Sequence, residues 1–298
     1  MEHQPLFFSI IIPTYQRPDR LVVCLEALAQ LDYPRNRFEV IVVDDGSGVP
    51  PETAVAAFHD RLNITLLTQP HAGPAQARNT GAAYAKGAFL AFTDDDCTPA
   101  PTWLQALAAR FATLPDCAIG GQTLNALPHN LYSTTSQLII DFVYAYYNAD
   151  ANQARFFASN NLALPTDHFR ANGGFDPTFT TSEDRELCNR LLLSAYRMIY
   201  APEAVVYHAH DLTFRTFWQQ HFNYGRGAFR FYQTCGQRWW ERVRPEAKSF
   251  YLGMLRFPFS QAQGWRALVL AMLLTVSQGA SATGILWEKV NQTRGDHR

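Results

Sequence analysis

Charge is what this chain has least of. Asp, Glu, Lys and Arg make up 17% of its 298 residues and leave a formal net charge of −1, against about a quarter charged in an ordinary soluble domain. No long run of one sign occurs, which excludes a nucleic-acid binder that works by neutralising phosphates. Low surface charge points instead to burial against a partner or a membrane. Cysteine is sparse too. Cys24, Cys97, Cys117, Cys188 and Cys235 are odd in number and nowhere in C-x-x-C spacing, so neither a disulfide framework nor a zinc or dithiol site is encoded. They read as reduced, cytoplasmic thiols. The opening residues, Met1-Glu2-His3-Gln4-Pro5, lack the basic start and apolar core of a secretory leader, so a cytoplasmic catalytic part is expected. Internal repeats and low-complexity tracts are also missing.

What is present is apolar. Hydrophobic residues account for 47% of the chain, enough for a sizeable core, and the length favours one main domain with a smaller appendage. Residues 7–12 form a short β-branched run closed by Pro13, followed by Leu21, Val22, Leu25, Leu28 and Leu31 at helical spacing. Strands are predicted over 38–43, 63–68 and 88–93, alternating with helices near 51–61, 74–86 and 102–114. Repeated units of this kind build an α/β fold whose mostly parallel sheet is covered on both faces through right-handed crossovers. Beyond Pro115 the pattern loosens. It gives a short strand near Ala118, a helix over 133–148, strand-like 155–159 and 162–164, a helix over 183–195, and two short strands over 197–207 separated by Pro202. From Leu212 onward the chain reads as helical and aromatic.

Acidic or turn-forming residues stand where apolar runs end. They are Ile12-Pro13-Thr14-Tyr15, Val42-Val43-Asp44-Asp45-Gly46-Ser47, Thr93-Asp94-Asp95-Asp96-Cys97 and Ser182-Glu183-Asp184. In an open parallel sheet the ligand lies outside the carboxyl ends of the strands, so these acids are predicted to converge on one crevice, an arrangement suited to a hard divalent cation. Each run has a plainer reading alone: Asp44 to Ser47 as a turn, the three aspartates as a cap for the helix near Thr102, Glu183-Asp184 as acids at the positive end of a helix. With Ala77-Arg78-Asn79-Thr80-Gly81 and Gly173-Gly174-Phe175-Asp176 in the same order, the set resembles family 2 glycosyltransferases of GT-A fold over residues 7–210.

The resemblance implies a GT-A nucleotide-sugar-binding fold, Rossmann-like, over 1–210, with 1–115 as the nucleotide-binding half and 116–210 as the acceptor-binding half. Residues 211–298 would form a helical C-terminal region. It implies an inverting enzyme that depends on Mg2+ or Mn2+. The family's D-x-D ends correspond to Asp94 and Asp96, with Asp96 as direct metal ligand and Asp94 or Asp95 facing the ribose or the metal's hydration shell. His208, rather than His210, would be a further ligand, although a hydrogen-bonded structural histidine is the plainer reading. Asp45, beside Asp44, would accept the imide N–H of uracil in a pocket completed by Pro13 and the ring of Tyr15, so a UDP-linked donor is expected. Arg78 either pairs with the diphosphate or lies on the surface, one position before Asn79. Asn160 and Asn161 either meet sugar hydroxyls or form a turn. Asp184 matches the family's general base, a role worth about 10²- to 10⁴-fold, and Glu183 would hold the acceptor hydroxyl.

Processive members of the family carry Q-x-x-R-W after the E-D element. Here Gln237-Arg238-Trp239-Trp240 lacks the two intervening residues and sits elsewhere, so transfer of a single sugar to a glycan or lipid-linked acceptor is expected. Residues 265–287 are long enough to span a bilayer and carry tryptophan at both ends, but Arg266, Gln278, Gly279 and Gly284 dilute their hydrophobicity. The readings rank as an amphipathic or buried helix, then a surface anchor, then a span. Trp218, Phe222, Tyr224, Phe229, Phe231, Tyr232, Trp239 and Trp240, interleaved with Arg226, Arg230, Arg238 and Arg242, favour peripheral contact with the inner face of the cell membrane. A helical lid over the acceptor site explains the same pattern. Two other functions stay open. A nucleotidyltransferase making nucleotide sugars draws slight support from Arg17, though Pro13-Thr14-Tyr15-Gln16 replaces a glycine-rich loop. A noncatalytic nucleotide-sugar-binding subunit is disfavoured by an intact Asp184.

Overall fold

The computed structural model describes residues 5–239 and 246–295, without the side chains of 236–239 and 293–295. Residues Met1 to Gln4, the side chains of Gln237-Arg238-Trp239-Trp240 and Arg242 therefore lie outside the described residues. The elements run β1 (Phe8–Thr14), α1 (Pro18–Ala29), β2 (Phe38–Asp44), α2 (Glu52–Ala56), β3 (Ile64–Thr68), α3 (Pro74–Tyr84), β4 (Phe89–Phe92), β5 (Cys97–Pro99) and α4 (Trp103–Thr113). They continue through β6 (Ala118–Asn125), α5 (Leu131–Tyr147), β7 (Leu162–Pro165), α6 (Thr166–Ala171), α7 (Glu183–Leu193) and β8 (Met198–His208). Four helices close the chain, α8 (Phe214–Trp239), α9 (Lys248–Arg256), α10 (Pro258–Gln261) and α11 (Gly264–Gly295).

Contacts divide the chain into two units, Met1–Leu124 with Tyr147–Ala209, and Asn125–Tyr146 with His210–Arg298. The first is built on one eight-stranded sheet, in the order β3-β2-β1-β4-β7-β6-β8-β5. β1 lies parallel to β2 and β4, and β2 parallel to β3. The later strands depart from the mostly parallel expectation, because β7 runs antiparallel to β4 and β6, and β5 antiparallel to β8. The physical reason is connectivity: α5, which follows β6, belongs to the second unit, so no crossover helix returns the chain over this sheet in the parallel sense.

β1 and β2 are buried at every position, as parallel strands covered on both faces must be. α1 buries Leu21, Cys24, Leu25 and Leu28, the stripe of one helical face, whereas Val22 turns to solvent. Beneath it, the Phe8 ring lies 5.7 Å from Phe89 and 6.1 Å from Phe111. Two backbone bonds, Asp45 N–H to the Thr14 carbonyl at 2.9 Å and Thr93 N–H to the Ile11 carbonyl at 3.2 Å, prolong the ladders past the strand ends. They bring the residues after β1, β2 and β4 to one edge of the sheet.

Three local differences from the sequence reading matter. Strand β5, only three residues long, follows the aspartates directly and pairs Cys97 with His208. β8 is a single strand that passes through an exposed Pro202. Residues 155–158 form no strand; Ser159–Asn161 is one buried helical turn whose Asn161 bridges the indole of Trp103 and the carbonyls of Gln122 and Ala204.

The second unit departs from the expected 211–298 boundary by including 125–146. Aromatic packing explains this, since the Phe142 ring lies 5.1 Å from Phe250 and 5.5 Å from Phe257. α8 and α11 lie side by side from Phe217 and Leu273 to the buried Glu288, which accepts from Arg226 at 2.8 Å and Arg230 at 2.6 Å. Gly225 and Gly284 allow the close approach, because a Cβ at either would fall 2.0 Å from a carbonyl oxygen of the facing helix.

At Gly121 in β6 an added Cβ would meet the Ala204 carbonyl oxygen at 2.0 Å and the Asn161 amide at 2.5 Å. Gly121→Ala should lower unfolding stability by about 3 kcal/mol, read as a shift in urea midpoint. Gly48→Ala, with open space around it, should leave the midpoint unchanged.

Candidate active site

The sheet edge carries three linked groups of side chains, all in the first unit. The first surrounds the triple aspartate. Asp95 is sealed from solvent; its Oδ2 accepts from the Thr14 hydroxyl at 2.7 Å, and its Oδ1 lies 2.8 Å from Arg17 Nη2 in an ion pair. Asp96 takes Arg17 Nη1 at 2.9 Å and Arg20 at 3.4 Å, with His208 Nε2 3.3 Å from its other oxygen. His208 reaches this position because β5 pairs with β8 and the Ala209 N–H binds the Asp96 carbonyl at 2.8 Å. Burial alone would lower the pKa of the His208 imidazole, but hydrogen bonding and charge from Asp96 outweigh it, and the net shift is upward. Burial pushes Asp95 up to about 7 against the pull of Arg17.

The second group joins the aspartates to the start of α7. Arg78, buried on α3, donates from Nη2 to Asp94 at 2.6 Å and from Nη1 to Glu183 at 2.9 Å, and its guanidinium lies 5.5 Å from the centre of the Phe175 ring. Desolvation opposes its charge, yet Asp94, Glu183 and Asp184 together hold its pKa above the ordinary value. Asp184 follows Glu183 and keeps part of its surface open. Its carboxyl is pushed up to about 7, first by burial and then by the neighbouring Glu183, while the Arg185 N–H, 2.7 Å away, and Arg78 act the other way. Asn79 clamps the preceding turn by accepting from Phe175 N–H at 2.9 Å and donating to its carbonyl at 2.7 Å. Gly174 must adopt φ +66° there, and a Cβ would sit 2.6 Å from the Asn79 oxygen.

The third group lies past β2. Asp44 is buried and accepts from Ser47 N–H. Asp45 receives Gln69 Nε2 at 2.7 Å, Ala72 N–H at 2.9 Å, Gly73 N–H at 2.8 Å and His71 Nδ1 at 2.9 Å. The Tyr15 ring stacks on His71 with centroids 4.3 Å apart. Pro13 is buried within β1 opposite Val43.

Several sequence expectations change. Asp95 has no open face, whereas the side chain of Asp94 is 24% exposed. Pro13 lines the strand core rather than an open pocket. Asp45 organises the 69–73 loop, and an imide N–H reaches it only where one of those four donors yields. Asn161 is committed to three structural bonds, and Asn160 accepts from the Thr123 hydroxyl at 3.3 Å. Arg17, read as slight support for a nucleotidyltransferase, is instead bound by Asp95 and Asp96. Arg20, Gln69, His71 and Cys97 were not singled out; only adjacency to motif residues marked them.

The donor set fits a divalent cation. Asp96, Cys97 and His208 offer ligand atoms within 4.8 Å of one another, the Asp96 carboxylate being the hard oxygen donor that Mg2+ or Mn2+ takes. Arginines hold the carboxylates in place.

Comparison with known proteins bears on the family and the fold. The model of glycosyl transferase family 2 matches residues 9–171. Glycosyltransferase AglE of Haloferax volcanii is 27% identical over 205 residues, covering 68% of this chain and 66% of its own. The pre-mycofactocin glycosyltransferase of Mycobacterium tuberculosis is 33% identical over 236 residues, covering 74% of this chain and 46% of its own. The matched part thus spans about two-thirds of one relative and less than half of the other. Among solved structures, the mannosyltransferase PcManGT from Pyrobaculum calidifontis, in complex with GDP-Man and Mn2+, superposes with a TM-score of 0.67 at 19% identity, covering 96% of this chain and 89% of that one. S. aureus TarS 1-349 in complex with UDP-GlcNAc gives 0.56 at 18%, covering 97% and 92%. These likenesses establish the GT-A fold.

Replacing Arg78 by Met removes the shared partner of Asp94 and Glu183. The loss should be about 2–4 kcal/mol, the lower part of the range because Asp94 keeps some solvent access, measured by urea unfolding.

Proposed function

The chain belongs to glycosyl transferase family 2, and from that membership and the site we propose that it transfers one sugar from a nucleoside-diphosphate donor to a glycan or lipid-linked acceptor, with inversion at the anomeric carbon. The observation that carries the reading is Arg78, whose one guanidinium binds Asp94 on the donor side and Glu183 beside the base candidate Asp184. Residues 1–115 hold the nucleotide, 116–210 approach the acceptor, and the helices beyond 210 make peripheral membrane contact in a cytoplasmic enzyme. A UDP-linked donor is proposed, its base stacking on Tyr15 and its imide meeting Asp45 in place of the Gln69 amide.

Inversion requires the acceptor oxygen to attack the face opposite the leaving diphosphate, forming the new C–O bond as the old one breaks. Asp184 accepts the hydroxyl proton in that step, and Glu183, fixed by Arg78, orients the hydroxyl. Arg17, Arg20 and Arg78 set positive charge around the donor phosphates. Asp96, Asp94 and His208 would hold a divalent cation, which when bound would supply neutralisation of the charge that develops on the diphosphate. Charged side chains already fixed by their partners need little reorganisation during reaction, which is where such catalysis gains most.

Three results test this reading. Asp184→Asn should reduce nucleoside diphosphate release by at least about 10²-fold while donor affinity, followed by thermal shift, stays within a few-fold. Unchanged turnover would remove Asp184 from the reaction. Because burial lifts Asp184 to about 7, kcat/KM should climb about tenfold per pH unit below that point and level above it. The same proton favours the folded state at low pH, where an unfolded aspartate titrates near about 3.9, and that contribution is lost as pH rises through about 7. Dialysis against EDTA should abolish turnover, with recovery on adding Mn2+ or Mg2+. If chelation changes neither binding nor turnover, the metal assignment fails.

A further inference from the structure

The second unit carries an apolar face that the fold leaves open. On α11, Trp265, Leu268 and Met272 follow one another at helical spacing and are 70%, 62% and 59% exposed. The same exposed stripe continues through Thr275, Gly279, Ala282 and Leu286 without a charge. The two elements leading into α11 add Leu252 and Phe259, each 54% exposed. A monomeric soluble protein seldom leaves so many large apolar side chains in water on neighbouring turns.

Charge on the segment that carries this face is one-sided once past Glu246, which accepts from the Tyr146 hydroxyl at 3.1 Å. Between Ala247 and Gln292 the basic residues are Lys248, Arg256, Arg266 and Lys289, and the only acid is Glu288. Glu288 is buried and neutralised by Arg226 and Arg230, so the surface of this segment presents positive charge alone. Aromatic and aliphatic side chains projecting among lysines and arginines match an anionic lipid interface, where the rings enter the headgroup boundary and the cations meet phosphates.

We propose that α9, α10 and the first turns of α11 form a docking surface for an anionic bilayer, with Trp265, Leu268 and Met272 inserted and Lys248, Arg256 and Arg266 against the headgroups. This deepens the peripheral contact proposed above and relocates it. The sequence had weighted the aromatic and basic residues of α8, but Arg226 and Arg230 are engaged with Glu288, and Arg226 lies 4.4 Å from the centre of the Trp287 ring. They serve helix pairing. Although residues Gly264–Gln292 are long and apolar enough to cross a membrane, an 18-residue stretch within them reaching a mean hydropathy of 1.6, one side of α11 is packed on α8 through buried Leu273 and Glu288. A helix open on one side and ion-paired on the other suits the plane of the interface, not its interior.

The test is flotation of the full chain with phosphatidylcholine vesicles, with and without about one-third phosphatidylglycerol, in the absence of donor and acceptor. Binding should require phosphatidylglycerol, weaken as salt rises, and fall roughly tenfold or more in Trp265→Ser/Leu268→Ser. Lys248→Glu/Arg266→Glu should lose the same binding with all apolar residues intact, and Val49→Ser, an exposed apolar change in the first unit, should have no effect. Retained donor-induced thermal shift shows that each variant is folded, and a variant that loses vesicles while still releasing nucleoside diphosphate separates docking from transfer. Equal binding to both vesicle types, or release only by detergent, overturns the proposal. So does a lipid-independent dimer, seen by light scattering, that Trp265→Ser/Leu268→Ser dissolves, since a second copy would then cover the face.

Discussion

The site depends on one buried cation. Arg78 sits on a helix between strands, away from water, and its fork is shared by carboxylates that lie 105 positions apart in the case of Glu183 and 16 in the case of Asp94. A guanidinium there is costly to desolvate and is retained because the two acids pair its terminal nitrogens, while its buried Nε has no hydrogen-bond partner. The converse also holds. Acids this close to one another and to Asp184 would repel if Arg78 were absent, so Asp94 and Glu183 can share a corner only through it. The alanines before it in α3 have a clear use: small side chains at 75 and 77, both buried, let the helix lie close to the sheet and deliver a long arginine to its edge.

Arg17 and Arg20 repeat the principle at the other end of the aspartate run. Three consecutive acids beyond one short strand are untenable without compensation, and β1 leads directly into the α1 start that supplies it. Thr14 and Arg17 fix Asp95 as the anchor of the run, which splits its neighbours outward. Asp94 turns toward α3 and Asp96 toward β8. The triplet thus behaves as a backbone-fixed wedge with a structural centre and two working flanks.

Much of this was legible in the sequence, for physical reasons that differ by element. Strands buried on both faces read as continuous apolar runs, and α1 and α4 declare themselves by period, so the parallel half of the sheet followed from pattern alone. Strand β5 was invisible because three residues carry no periodicity, and with it went the register that sets His208 beside Asp96. The antiparallel half was illegible because chain direction at β7 depends on α5 joining a different unit. Within the site, residue types were readable but their commitments were not. Nothing in Asp-Asp-Gly-Ser says that the second acid will be saturated by the loop at 69–73, and nothing in Arg78-Asn79 says that one residue bridges acids while the next clamps a glycine turn.

Strand β5 ends the sheet, and it consists of Cys97, Thr98 and Pro99. A sheet margin is ordinarily a template on which another molecule's chain can add itself, the first step toward fibrous aggregates. A margin of three residues, one of them without an N–H to offer, gives such a chain almost nothing to grip. The rim nearest the aspartates is therefore protected from self-association by its brevity, and the protein can keep a polar, solvent-facing catalytic edge without covering it.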